Sequence, residues 1–270
     1  MNTLITICIL SISLKGWASS LPIFDTHIHH NDKTQGEFDD QKVVSLLRQY
    51  DIKKALISSS GDNNTQRLIG LAPDIVLPAL RPYRNSGDLR TWMHDETVIE
   101  HLETHLKQGR YYAIGEFHAF GDEMQTKVSK RLVELAKEYS LVLHLHGDRR
   151  AMHNIYKQWP DAKVLLAHAG FEAPADLAPL FEQYPNLSAD LSFRPEIVTW
   201  GGFNPEWETA LLKNPDRFTL GADTFNLDQW QRMPLYTLDT RDWLSELPET
   251  VAKQIAYQNA ERLFGVSIHD

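Results

Sequence analysis

Two histidines, His27 and His29, stand two residues apart in the segment Phe24-Asp25-Thr26-His27-Ile28-His29-His30. Side chains alternate faces along a β-strand, so residues i and i+2 point the same way. Two neutral imidazoles on one face, beside the carboxylate of Asp25, make half of a transition-metal site. A lone His-x-His pair carries little weight, because that spacing arises by chance in many chains. It gains weight here because other apolar segments end in the same chemistry. Tyr112-Ala113-Ile114-Gly115-Glu116-Phe117-His118 ends with a carboxylate in an otherwise apolar context. Leu141-Val142-Leu143-His144-Leu145-His146-Gly147-Asp148 carries two more histidines on one face. His168 closes a further segment before Ala169-Gly170, and Phe218-Thr219-Leu220-Gly221-Ala222-Asp223 ends in an acid. Each ending has a bland reading alone: His168 as a core histidine, Glu116 as partner of a structural arginine, Asp223 as a turn cap. All of them ending in His, Asp or Glu is hard to obtain by chance. About three or four such groups satisfy one zinc-type ion, and about five or six hold two.

These residues need a scaffold that brings segment ends together. Strand candidates at 22–29, 53–60, 75–80, 111–118, 141–146, 163–168, 186–192 and 217–223 alternate with helix candidates. The helices fall near 39–50, 95–107, 126–139, 149–159, 174–184 and 205–213, with a closing helix near 248–263. In 126–139, Val128, Leu132, Leu135 and Ala136 share one face. Strands alternating with helices imply a parallel sheet with helical crossovers. A doubly wound nucleotide binder shows a glycine-rich turn after its first strand, whereas this strand runs into His27-Ile28-His29-His30-Asn31-Asp32. The reading is therefore an α/β chain folded as a single-domain (β/α)8 TIM barrel, with its chemistry at the C-terminal ends of the strands.

Composition sets outer bounds. The chain has 270 residues, 42% hydrophobic and 23% charged, enough for one sizeable core. Lys and Arg number 27 against 36 Asp and Glu, a net charge of −9 with no dense basic run, which argues against a nucleic-acid partner. Leu4 to Leu14 is apolar and uncharged, and Gly16-Trp17-Ala18 follows it. This pattern predicts a signal peptide over 1–18, with the barrel domain over 19–270, and a secreted, periplasmic protein. The run is too short to span a bilayer, so no stable membrane insertion is expected. The single cysteine, Cys8, lies inside it, so the processed chain would have neither disulfides nor thiolate chemistry.

Taken jointly, these segments resemble the amidohydrolase superfamily, specifically its amidohydrolase-related branch of metal-dependent (β/α)8 hydrolases. The resembling residues are Phe24-Asp25-Thr26-His27-Ile28-His29, Ile114-Gly115-Glu116, His168-Ala169-Gly170 and Leu220-Gly221-Ala222-Asp223. The tail Gln258-Asn259-Ala260-Glu261-Arg262-Leu263-Phe264-Gly265 also resembles the family's ending, so the likeness spans about 22–265. It implies that His27 and His29 bind the more buried metal and that His146 and His168 supply the fifth- and sixth-strand ligands. It implies further that Asp223 both binds metal and shuttles protons. The family has one fifth-strand histidine where this chain has two. The register from Ala136 through Ser140 favours His146, leaving His144 behind the ligands or on the substrate side. Many members carry a carboxylated lysine on the fourth strand. Glu116 stands there instead, as in TatD-type hydrolases with a bridging glutamate, which keeps a two-metal site open; if it points away, one metal is the better reading.

The chemistry implied is metal-assisted hydrolysis of an amide, ester or lactone-type bond. A divalent cation lowers the pKa of bound water toward neutrality, producing hydroxide as nucleophile. Zinc is the first expectation for the ion, although Mn, Fe and Co accept the same donors. Asp223 is the candidate to take the water proton, with His118 and His168 steadying the oxyanion or positioning substrate. Arg81 and Arg194 follow the third and seventh strands, which predicts either a carboxylate-bearing small-molecule substrate or two structural ion pairs. The loops around Trp200-Gly201-Gly202-Phe203 and from Phe225-Asn226 to Trp230 are read as cavity walls or a lid, or as packing aromatics. Within the same fold the alternative is a mononuclear non-oxidative decarboxylase. Outside enzymes it is a catalytically silent metal- or ligand-binding barrel. Homo-oligomerisation stays open.

Overall fold

The computed structural model describes residues 21–200 and 202–269; the expected signal segment 1–18 and Cys8 lie outside the described residues. Eight parallel strands follow one another around a single sheet. They are β1 (Ile23–His29), β2 (Ile52–Ser59), β3 (Val76–Leu80), β4 (Ala113–Ala119), β5 (Val142–Gly147), β6 (Val164–Leu166), β7 (Leu187–Asp190) and β8 (Phe218–Thr219). A helix follows each strand: α1 (Asp40–Gln49), α2 (Asn63–Leu71), α3 (Thr97–Gln108), α4 (Lys127–Glu138), α5 (Arg149–Gln158), α6 (Pro174–Gln183), α7 (Pro205–Lys213) and α8 (Leu227–Leu244). The ring closes where Asp25 and Leu220 form a parallel bridge, with Thr26 N donating to Leu220 O at 2.8 Å. This is a (β/α)8 TIM barrel. Among the described residues no helix is long and apolar enough to cross a membrane.

Helix starts follow local chemistry. Thr126 caps α4 by accepting from Ser129 N, Asp148 caps α5 through Ala151 N, and Asn226 caps α8 through Gln229 N. Two helices differ from the sequence expectation, α2 and α8. The buried face of α2 is Asn64, Thr65 and Leu68, too polar to show an apolar stripe. In α8, Pro234 interrupts the pattern, and the buried positions include Gln229, Thr237 and Arg241 beside Trp230 and Met233. Trp230 is a packing residue, stacked on Phe38 and edge-on to His30. Trp200 is exposed beside the short hairpin Val198–Thr199/Gly202–Phe203.

One core lies between barrel and helices, and a smaller one fills the barrel's N-terminal half. Phe24, Leu56, Leu77, Val142 and Leu165 form that inner plug with Leu263 and Phe264 from the closing helix Asn259–Phe264. Phe24 stacks on Phe264 with centroids 5.7 Å apart. With Phe24 inside, strict alternation along β1 would send His27 outward. A register shift against β2 between Asp25 and Ile28 resets the alternation, leaving Phe24 in the plug and turning His27 and His29 toward the barrel's upper end. That end is where the strands deliver their polar side chains.

Candidate metal centre

Five strands, β1, β4, β5, β6 and β8, end on one cluster. The Nε2 atoms of His27 and His29 lie 3.1 Å apart, and Asp223 Oδ1 lies 3.5 Å and 3.3 Å from them. Glu116 places Oε2 3.1 Å from His29 Nε2, and Oε1 3.6 Å from His27 Nε2 and 2.8 Å from His146 Nδ1. His168 Nε2 stands 3.7 Å from both Glu116 Oε1 and Asp223 Oδ2. Donor atoms about 2.0–2.1 Å from a tetrahedral ion are about 3.3–3.4 Å apart, so these spacings suit a shared cation. Asp223 Oδ1 is buried and has no hydrogen-bond partner, a costly state that a bound cation relieves.

The electrostatics agree. Burial opposes charge on His27, but the carboxylates of Asp223, Asp190 and Glu116 outweigh it and raise its pKa well above the usual imidazole value. The position therefore favours positive charge. Burial would also raise Glu116, yet the His27 charge and hydrogen bonds from His146, His168 and His27 hold it well below the usual range. Burial lifts Asp223 to about 6, against the pull of His27. Burial and then the Arg81 charge keep His29 well below its ordinary value, hence neutral.

Behind the cluster sits Asp190, at the end of β7. Its Oδ2 accepts from His27 Nδ1 and His144 Nε2, both at 3.1 Å. Its Oδ1 accepts from the backbone N–H of His168 at 3.2 Å and of Ser192 at 3.0 Å, and from Ser192 Oγ. His168 Nδ1 lies 3.2 Å from the Ser192 carbonyl, and His29 Nδ1 2.8 Å from Ser58 Oγ. An ionised carboxylate and a carbonyl only accept, so Nδ1 carries a proton in His27 and His168, and Nε2 is the ring nitrogen each turns toward the centre, where a cation would displace any proton it holds. His168 (φ 57°) and Asp223 (φ 45°) hold left-handed backbone conformations, a strain of about 1–3 kcal/mol each that collects at functional sites.

Gly221 is required by close approach: a Cβ there would stand 2.6 Å from His27 Cβ. Gly221→Ala is expected to displace His27 and weaken metal affinity roughly 10–100-fold, as losses of ligand support do. Competition with a chromophoric chelator measures this; wild-type affinity would show that His27 tolerates the displacement.

The cluster opens into a cavity of about 700 Å³. His118, Arg81 and Tyr83 line one side, and Phe171, Phe193 and Phe225 another. His118 stacks on His146 with centroids 4.2 Å apart, and burial lowers it to about 4. Arg81 faces the cavity but is engaged with Glu116, through its carbonyl at 2.9 Å and Oε2 at 3.3 Å. Of the two readings left open for Arg194, a substrate carboxylate or a structural ion pair, its position matches the second. Its Nε donates to Glu196, Nη1 to His168 O and Nη2 to Glu172 O, while the guanidinium lies over Trp207. It braces the His168 turn from outside the cavity. Asp25 is likewise not with the ligands, because its Oδ1 accepts from His27 N and Ala222 N at the barrel seam. His144 is buried at Asp190 rather than at the cavity, and burial, then the His27 charge, lower it to about 4.

Sequence reasoning did not single out Asp190, Ser192, Ser58 or Tyr83. Asp190 carried a usable signal, since it is an acid at a strand end like Asp223. The serines carry none, because a hydroxyl behind an imidazole has no characteristic spacing.

A model of the amidohydrolase family matches residues 93–266. No curated protein sequence matches the chain. Among solved structures, the chain is similar to a candidate 2-pyrone-4,6-dicarboxylic acid hydrolase from Pseudomonas putida, at 11% identity and TM-score 0.64, over 91% of this chain and 98% of that one. A TatD homologue from Escherichia coli is 21% identical with TM-score 0.60, over 91% and 98%. A 2,6-dihydroxybenzoate decarboxylase complexed with 2,6-dihydroxybenzoate is 12% identical with TM-score 0.60, over 91% and 99%. At such identities the likeness is one of fold.

Proposed function

Because the chain belongs to the amidohydrolase family, we propose that it is a metal-dependent hydrolase of an amide, ester or lactone-type bond, with Asp223 as proton shuttle. The observation that carries this reading is the placement of Glu116, one oxygen against His29 and the other against His146. A carboxylate spanning two imidazole groups suits a bridge between two ions, an arrangement found in one class of hydrolytic site and not needed for decarboxylation. His27, His29, Glu116, His146, His168 and Asp223 would hold the metal, zinc by donor type. A divalent ion bound there would supply an activated water and polarise the scissile carbonyl.

The side chains do the remaining work. Asp223 takes the proton of the attacking water and returns it to the leaving group. Arg81 holds Glu116 in place from the side of the third strand. Arg84 is committed to Asp88 and Asp95, whereas Lys33 has no ion pair among the described residues. Lys33 is thus the cavity cation open to a substrate carboxylate. The phenyl rings at Phe171, Phe193 and Phe225 favour a second reading, decarboxylation of a planar aromatic acid with one ion. The apolar segment Leu4 to Leu14 and Gly16-Trp17-Ala18 support a secreted, periplasmic location.

The number of ions that restores activity after chelation, together with the product released, separates these readings. Exhaustive chelation is expected to abolish turnover on a panel of carboxylated esters, lactones and amides, and Zn²⁺ or Mn²⁺ to restore it at about two ions per chain. Full activity on one ion, with release of carbon dioxide, would replace hydrolysis by decarboxylation. Failure to bind divalent metal would overturn both.

A further inference from the structure

A second cavity, of about 550 Å³, lies across the end of β8 from the metal cluster, between the barrel seam and α8. Asp223 lines the metal cavity, whereas Gly221 and Ala222 just before it line this one. Phe193 is a wall the two share, its ring edge-on to His168 with centroids 5.5 Å apart. The volume falls within the range of about 300–1,000 Å³ that small-molecule sites occupy. Its interior is apolar, formed by Ile23, Ile52, Leu191, Ile197, Leu220 and Trp243. The rim is acidic. Asp239 and Asp242 on α8 and Glu246 just past it line the cavity, and none has an ion pair among the described residues. Arg194 also reaches it, but its guanidinium is engaged by Glu196 and by two backbone carbonyls. One further group is unsatisfied: Gln229 lines the cavity with 8% of its surface exposed, and its Oε1 is buried without a hydrogen-bond partner. Accepting oxygens and unpaired carboxylates around an apolar floor suit a ligand that donates N–H groups and carries positive charge.

We propose that this cavity binds one organic cation, an amine or guanidinium carried on an apolar body, at a site separate from the metal cluster. The charged head meets the α8 carboxylates and the Gln229 amide, while the body covers the apolar floor and displaces water from it. The two cavities then select opposite charge, since Lys33 marks the metal cavity for an anion.

The test titrates the full chain, as purified, with 2-phenylethylammonium chloride by calorimetry. Wild type is expected to bind about one per chain with a Kd of roughly 0.1–1 mM, the range open to a ligand of this size. 3-Phenylpropionate, alike in shape and opposite in charge, is expected to bind roughly tenfold more weakly or not at all. Asp239→Asn combined with Asp242→Asn, both exposed on α8, is expected to weaken the cation roughly fivefold and leave the melting temperature unchanged. Thr240→Trp, which puts an indole into the cavity, is expected to abolish binding. No binding by wild type, or equal affinity for the carboxylate, would overturn the proposal. Undiminished binding in both variants would also overturn it and move the probe to another site. A dimer that dissociates in Thr240→Trp, with no probe bound by wild type, would assign the cavity to a second copy of the chain instead. None of these outcomes bears on divalent metal binding, so the hydrolase reading stands or falls separately.

Discussion

Asp223→Asn is expected to keep its metal and lose turnover roughly a thousandfold, within the usual range for removing a positioned general acid–base. The amide preserves shape and retains an oxygen for the cation. What it cannot do is take a proton. Asp223 approaches His27, His29 and His168, and its backbone N–H is tied to His27 O at 2.6 Å, so the substitution should not shift the side chain. Metal analysis and a substrate saturation curve check the split: unchanged metal content, collapsed kcat and little change in KM. A variant that turns over normally would remove proton transfer from Asp223 and leave it a ligand only.

Asp190→Ala is expected to cost about 3–5 kcal/mol of stability, the range for removing one partner of a buried charged network. The carboxylate is fully buried and serves His27, His144, the His168 and Ser192 backbone and the Ser192 hydroxyl together. Its loss leaves those donors unpaired and frees the His27 ring to rotate, so metal affinity should fall roughly 10–100-fold as well. Asp190→Asn discriminates packing from orientation. It restores volume but offers one accepting oxygen where the carboxylate has two, so its amide nitrogen must face either the His27 and His144 donors or the backbone N–H groups of His168 and Ser192. Stability should recover in part while metal affinity stays low. Denaturant melts and chelator competition measure the two; wild-type values for Asp190→Ala in both would show that β7 contributes nothing to the site.

The sequence legibly carried the periodicities. Short apolar runs ending in His27, Glu116, His146, His168 and Asp223 are local patterns, and each run became a strand of the barrel. Where burial is mostly polar, as along α2, or interrupted by Pro234, as along α8, the pattern was silent and the helix was missed. Arg194 shows the opposite limit, since its place after a strand left substrate contact and a structural ion pair equally open. It follows a strand as a substrate-binding arginine would, yet three of its nitrogens donate to Glu196 and to the backbone of His168 and Glu172.

By itself, then, the sequence determined which chemistry is available and that a parallel barrel would gather it, because residue type and strand period are properties of neighbouring positions. Only the tertiary structure decided which groups meet. Whether His27 points inward depends on a register shift against β2, and Asp25 is diverted to the seam by backbone N–H groups on β1 and beyond β8. Asp190 becomes the support of three histidines only once β7 lies beside β6 and β8 in a closed ring. These are contacts between residues up to about two hundred positions apart, whose geometry is set by strand register and ring closure, and no local pattern encodes either.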